Sequence, residues 1–188
     1  MTRKSLSSLL FAFVIIVIGN YVIVAQTLSG TWTASPVENK EAARSLHLMF
    51  DQGTKEDRHR TGMNFDPNEL QGLSVPIRDG NASFRLTRPA GVIEMNGAFS
   101  GGKGSGTFVF NADQGFIDAM RTRGFDFLAP ASGRGTSPEQ RLFTAATLNV
   151  TVALADDLRT ANFPDLDADD LFKAAIFKID GKFLAEMA

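Results

Sequence analysis

The segment ASFRLTRPAGVIEMNGAF, residues 82–99, decides the fold class of this chain. Its first half alternates between apolar and polar residues, which places Phe84 and Leu86 on one face of an extended strand. The alternation resumes after Arg88–Gly91, a stretch whose Pro and Gly are typical of a tight turn. The segment therefore predicts two antiparallel strands with one buried face, joined by a short turn.

Similar alternating segments lie on both sides of this hairpin: GTWTA at 30–34, SLHLMF at 45–50 and GSGTFVF at 104–110. About six or seven short strands at spacings of roughly 8–14 residues are typical of a small antiparallel β-barrel or sandwich. The turn at Gly101 and Gly102 favours a β-hairpin over a phosphate-binding loop, because a strand rather than a helix follows it. We predict this β domain over residues 26–110.

Beyond residue 110 the apolar residues recur at helical spacing, and the sequence repeats itself. At one offset LFTAA (142–146) aligns with LFKAA (171–175). A weaker match, at a longer offset, aligns Asp118 with Asp156 and four further identical pairs. Any two amphipathic helices align at some offset, which is the alternative explanation, but four identities in five positions favour a duplication. The sequence therefore predicts helical-hairpin repeats over residues 111–188, and an α+β fold for the whole chain.

Residues 1–25 have the features of a secretory signal peptide. Arg3 and Lys4 precede an apolar run, Leu9–Ile18, and the small residue Ala25 provides a cleavage position. An uncleaved N-terminal membrane anchor is the alternative, although residues 9–25 are at the short end of what spans a bilayer. No cysteine follows the run, which excludes a lipoprotein anchor. We predict a secreted or periplasmic bacterial protein with no stable membrane insertion after cleavage.

Composition removes several classes of function. The chain has 188 residues and no cysteine, which excludes disulfides, a cysteine nucleophile and thiolate metal sites. Its 19 basic and 21 acidic residues exclude a strongly basic nucleic-acid binder. Eight acidic and four basic residues fall in 149–188, so the negative charge is concentrated in the C-terminal part.

Motifs for catalysis are weak. The two histidines, His47 and His59, fall in separate predicted strands, and Ser105 lacks the spacing of a hydrolase nucleophile. A hydrolase that pairs Asp66 with Glu94 is the least favoured alternative. We predict no enzymatic activity and no cofactor.

The acidic stretch Asp165–Asp170 matches the first half of a calcium loop. Asp170 and Ile176, however, stand where such a loop needs Gly and Glu. A helix N-terminus capped by Asp167 or Asp169 explains the stretch better, because carboxylates are favoured there. We predict no metal site, and weak calcium binding is left open.

Two resemblances bear on function. SGTW, residues 29–32, is similar to the Gly-x-Trp opening strand of lipocalin-like barrels, in which the Trp plugs the closed end. Over residues 80–188, FRLTRPAG at 84–91, Gly97-x-Phe99, GSGTFVF at 104–110 and the helical repeats resemble secreted modules of some soil bacteria. That group includes modules appended to membrane metallopeptidases of the beta-lactam-sensor type. These modules have no assigned catalytic residues, so the resemblance implies an extracytoplasmic binding or sensing role.

These features together predict an exported, non-enzymatic binding or sensing module. Its helical repeats are expected to dock an envelope protein through Phe183 and Met187, at an apolar edge. The alternative function is binding of a small apolar ligand inside the barrel, with plain core packing as the competing explanation for the aromatic residues. The ligand-binding residues predicted for that alternative are Trp32, Phe84, Phe99 and Phe108.

Overall fold

A computed structural model describes residues 27–37, 45–53, 58–129, 136–161 and 166–179, together with 181, 183 and 186. Within these residues, seven strands precede four α-helices. The strands are β1 (Thr27–Pro36), β2 (Leu46–Gly53), β3 (Arg58–Phe65), β4 (Leu70–Gln71), β5 (Gly80–Arg88), β6 (Gly91–Ser100) and β7 (Lys103–Ala112). The helices are α1 (Gln114–Thr122), α2 (Pro138–Thr147), α3 (Val152–Thr160) and α4 (Ala168–Phe177), and a 3-10 turn spans Pro67–Glu69.

The strands form one antiparallel sheet in the order β3-β2-β1-β7-β6-β5-β4. β1 lies between β2 and β7, so that Trp32 is opposite Phe50 on one side and Gly106 on the other. β3 and β4 are the two edges, and they do not pair with each other among the described residues. The predicted antiparallel α+β fold is confirmed, and the sheet is open rather than closed.

One face of the sheet carries the core. Helix α2 lies across this face and contacts β1, β5, β6 and β7. The ring of Phe143 is fully buried, and its centroid lies 5.2 Å from that of Phe50, 5.3 Å from Phe108 and 5.6 Å from Phe110. This side chain therefore joins α2 to β2 and β7.

Glycines in β6 and β7 make room for the largest rings. A Cβ on Gly97 would come within 2.8 Å of Trp32 Cζ2 and would collide with the backbone oxygen of Ser105. A Cβ on Gly104 would come within 2.6 Å of the Phe99 ring. Because these positions have no side chain, the aromatic rings pack directly on the strand backbone.

Helices α1 and α3 correspond to each other at the longer of the two sequence offsets. Each has nine residues, and each follows a residue whose side chain accepts a hydrogen bond from the backbone three positions on, Asp113 for α1 and Thr151 for α3. Thr122 and Thr160, at the helix ends, each donate Oγ1 to the carbonyl four residues earlier at 2.9 Å. The same local contacts therefore begin and end both helices.

Helices α2 and α4 correspond to each other at the shorter offset, and their C-terminal ends have the same backbone geometry. Each is followed by a residue in the left-handed region, Asn149 at φ 56° and Lys178 at φ 55°. The next residue, Val150 or Ile179, donates its N–H to the carbonyl five positions earlier at 2.9 Å in both. This is a Schellman motif, and α1 ends in the same way at Gly124.

The predicted domain boundary at residue 110 stays a prediction. β7 ends at Ala112 and α1 begins at Gln114, and one hydrophobic cluster includes buried residues of both the sheet and the helices. The predicted signal peptide, residues 1–25, lies outside the described residues. None of the helices in the described part of the chain is long and apolar enough to span a bilayer.

Candidate functional site

The four predicted ligand-binding residues are buried and belong to two aromatic groups. The ring centroid of Trp32 lies 5.2 Å from Phe84 and 5.7 Å from Phe99. Phe108 packs instead against Phe50, at 5.2 Å. All four predicted residues are at most 4% exposed.

The indole of Trp32 is held by the sheet itself. Its Nε1 donates to Thr107 O at 3.0 Å and lies 3.3 Å from Asn96 O. A buried indole N–H needs a partner, and these carbonyl groups supply it. The arrangement is that of a packed core, so ligand binding at the four aromatic residues stays a prediction.

The opposite face of the sheet is polar and carries a charged group formed by Asp51, Arg58 and Arg60. Arg58 Nε donates to Asp51 Oδ1 at 2.8 Å, and Arg60 Nε donates to Oδ2 at 3.1 Å. The hydrogen bond from Arg58 holds the pKa of Asp51 below its ordinary value, with partial burial opposing it and Arg60 adding to it. The arginine side chains are 53% and 56% exposed, which is typical of a solvated ion-pair group.

The residues considered for catalysis lie on separate elements. His47 lies on the outer face of β2, with Nδ1 2.8 Å from Asn64 Oδ1, whereas His59 of β3 lies on the other face. Asp66 caps the 3-10 turn, and Glu94 lies within β6. In the described part of the chain, no three His, Asp or Glu side chains are placed to hold a metal ion.

The acidic stretch before α4 is a helix cap. Asp167 Oδ1 accepts hydrogen bonds from Asp169 N at 2.9 Å and Asp170 N at 3.1 Å, and Asp170 Oδ2 accepts one from Asp167 N at 3.1 Å. This reciprocal arrangement is a capping box. The hydrogen bond from Lys173, with the cap, holds the pKa of Asp170 below its ordinary value. The predicted cap at Asp167 is confirmed, and Asp165 lies outside the described residues.

Large apolar side chains are exposed at the end of α4 and shortly after it in the chain. Phe177 is 72% exposed, Ile176 58% and Phe183 45%. We call these three residues the C-terminal apolar surface. Phe183 was predicted as a partner-binding residue and lies at the surface, whereas Met187 lies outside the described residues.

Polar contacts hold the helices next to this surface. Gly181 N donates to Asp157 Oδ2 at 2.9 Å, and Arg123 Nε donates to Asp156 Oδ1 at 2.7 Å. The second contact holds the pKa of Asp156 below its ordinary value, and Arg159 donates to the carbonyl of Arg123. Hydrogen bonds and an ion pair thereby link helix α3 to the end of α1 and to residue 181.

A cleft of about 560 Å³ lies at one end of the sheet. Its walls come from the end of β1, the start of β2, the 3-10 turn, residues 75–77 and the β6–β7 turn. We call it the end cleft. Its apolar lining consists of Pro36, Leu46, Pro67, Val75, Pro76 and Ile77.

Neither the end cleft nor the exposure of Ile176 and Phe177 was predicted from the sequence. The cleft is built from five separate segments, so no local motif marks it. For helix α4, the sequence does contain one indication that an apolar side chain is exposed. Two adjacent large apolar residues lie about 100° apart on a helix, so both cannot point at the centre of one buried face.

Comparison of the chain with protein-family models, with curated proteins and with solved structures finds no match. The resemblances to lipocalin-like barrels and to secreted bacterial modules therefore stay predictions. The assignment of function rests on the geometry of the surfaces described above.

Proposed function

We propose that this chain is an exported, non-enzymatic binding module that docks a protein partner through its C-terminal helices. The observation that carries the proposal is the 72% exposure of Phe177 beside Ile176, which is 58% exposed. Full burial of one such side chain contributes about 1.5–3 kcal/mol. A partner that covers both would gain a central apolar anchor of the kind that dominates protein interfaces.

Charge narrows the class of partner. Residues 149–188 contain eight acidic and four basic side chains, and Asp167, Asp169 and Glu186 are exposed. Like charges repel across an interface, whereas complementary charges steer two proteins together. The proposal therefore commits to a partner that presents an apolar patch with a basic rim.

The test is capture of envelope proteins by the purified full chain, compared across matched variants. Phe177→Asp and Phe183→Asp place a charge on the C-terminal apolar surface, and Val109→Asp places one on the outer face of the sheet, where Val109 is 39% exposed. We expect one partner to be bound stoichiometrically by the wild type and by Val109→Asp. Binding should be lost in the two Phe variants and should weaken as salt rises. Equal recovery with all three variants would overturn the proposed surface.

Export is part of the same proposal and has its own test. Cleavage after Ala25 would leave Gln26 as the first residue of the mature chain. N-terminal sequencing of the protein recovered from the periplasm or the medium should therefore begin at Gln26. Recovery from the membrane with residues 1–25 intact would favour the anchor instead.

A further inference from the structure

The end cleft lies where the chain crosses from one edge of the sheet to the other. β3 is one edge and β4 is the other, and the 3-10 turn at Pro67–Glu69 connects them. The cleft is bounded by this turn, by Pro36 and Leu46 at the ends of β1 and β2, and by Val75. Ligand pockets for small molecules have volumes of roughly 300–1,000 Å³, and the 560 Å³ of the end cleft falls within this range.

The wall of the cleft at the 3-10 turn is fixed by local hydrogen bonds. Asp66 Oδ1 accepts from Asn68 N at 2.9 Å and from Asn68 Nδ2 at 2.8 Å, and Asp66 N donates to Glu69 Oε2 at 3.3 Å. Arg88 Nη2 donates to Glu69 Oε1 at 3.0 Å and ties the turn to β5. A wall that is fixed in this way loses little conformational freedom when a ligand binds against it.

The polar groups of the cleft limit the chemistry of the ligand. Beside the apolar residues, the lining includes Ser45, Asp66 and Asn68, whose side chains carry a hydroxyl, a carboxyl group and a carboxamide. Among the lining residues that the structure describes, Asp66 is the one with an ionisable side chain, and none is a lysine or arginine. A carboxylate accepts hydrogen bonds and repels other carboxylates. An apolar molecule that carries an N–H or O–H donor therefore fits the lining, and an acidic one does not.

We propose that the end cleft binds a small apolar molecule with an uncharged or cationic N–H or O–H group and no acidic group. This function is separate from partner docking, because none of the described lining residues belongs to the C-terminal apolar surface. It also differs from ligand binding behind Trp32, which does not line the cleft.

Two fluorescent probes of nearly identical shape test the proposal on the full mature chain. N-phenyl-naphthylamine is an uncharged aromatic amine with one N–H, and anilinonaphthalene sulfonate is the same molecule with an added anionic group. We expect the amine to bind at one site and the sulfonate to bind at least about tenfold more weakly, a difference of about 1.4 kcal/mol. Absence of saturable binding of the amine would overturn the proposal.

Variants locate the bound probe. Val75→Trp adds bulk at the rim of the cleft, where Val75 is 57% exposed, and Val109→Trp adds the same bulk on the outer face of the sheet. The amine should bind about tenfold more weakly to Val75→Trp and unchanged to Val109→Trp. Loss of binding in Phe177→Ser, with normal binding in Val75→Trp, would place the probe on the C-terminal apolar surface and overturn the proposal.

A second variant decides the outcome if Val75→Trp does not fold. Asp66→Asn removes the charge and keeps a residue that caps well, so the 3-10 turn should be retained. We expect the sulfonate to bind several-fold more tightly to this variant while binding of the amine changes little. An unchanged ratio of the two affinities would show that Asp66 does not face the ligand, contrary to the proposal.

Discussion

The sheet and the helical region bury their side chains in opposite ways. In the sheet, large rings such as Trp32 and Phe99 lie on glycine positions, so close packing depends on the absence of a Cβ. In α2 the buried residues include Ala145 and Ala146, and the helix ends are fixed by repeated caps and Schellman motifs. A substitution of one type should therefore have different effects in the two regions, and the junction between them depends heavily on Phe143.

The largest expected effect comes from breaking the junction. Phe143→Ala removes the ring that contacts Phe50, Phe108 and Phe110, and should lower the free energy of unfolding by about 3–5 kcal/mol. Urea denaturation measures the loss. The exposed residue Phe177 supplies the control, because Phe177→Ala should change stability by no more than about 0.5 kcal/mol.

The same experiment tests the predicted boundary at residue 110. A single transition in Phe143→Ala, seen by both Trp32 fluorescence and helical circular dichroism, would indicate that sheet and helices unfold together. Two separate transitions would favour independent domains. A loss of stability no greater than in Phe177→Ala would contradict the role given to Phe143.

The next largest effect is expected when the same substitution, Gly→Ala, is made in the sheet and in a helix. Gly97→Ala should cost about 1–3 kcal/mol, because its Cβ would collide with the backbone oxygen of Ser105 and would also meet the Trp32 ring. In α1, the nearest atom to a Cβ on Gly115 is Asp113 Oδ1, at 3.1 Å, and a small shift that keeps its capping hydrogen bond from Phe116 N relieves this contact. Gly115→Ala should therefore change stability by less than about 1 kcal/mol. Thermal unfolding of the two variants side by side measures the difference, and equal destabilisation would show that the sheet has no special need for its glycines.

A smaller effect of opposite sign is expected at the ends of α2 and α4. Lys178 and Asn149 hold left-handed backbone, which costs an ordinary residue about 1–2 kcal/mol and costs Asn less. Lys178→Gly should therefore stabilise the protein by up to about 1 kcal/mol, and Asn149→Gly by a smaller amount. Hydrogen exchange at Ile179 N and Val150 N reports the two motifs separately. Faster exchange in either glycine variant would contradict the shared Schellman geometry.

Most of the fold could be predicted from the sequence, because the patterns that indicate its strands and helices are local. The alternation in residues 82–99 marks β5 and β6, and the longer repeat offset aligns α1 with α3. The open sheet was not predicted in this form. Whether β3 and β4 pair depends on the shear and twist of the whole sheet, which no single strand encodes.

The candidate sites could be predicted less well from the sequence, because each surface is formed by segments that are far apart along the chain. Phe183 was predicted to lie at an apolar edge, and it is 45% exposed. The Gly-x-Trp pattern indicated Trp32 as a candidate ligand-binding residue. The pattern cannot, however, distinguish a ring that lines a cavity from one that fills the core. The end cleft could not be predicted without the topology, because residues such as Pro36 and Ile77 line one cleft only when five separate segments come together.

The smallest expected effect is the contribution of the ion pairs of the two regions to the pH dependence of the melting temperature. Hydrogen bonds from Arg58 and Arg123 hold the pKa values of Asp51 and Asp156 below the ordinary value of about 3.9. A carboxyl group with a lower pKa in the folded state stabilises the protein above its unfolded pKa, and this contribution is lost as pH falls through the folded pKa. The melting temperature should therefore fall less steeply below about pH 4 in Asp51→Asn and Asp156→Asn than in the wild type. Asp51 pairs with both Arg58 and Arg60, and its side chain is 19% exposed against 53% for Asp156, so Asp51→Asn should flatten the curve more. Parallel curves for all three proteins, at low and high salt, would show that neither pair contributes to stability.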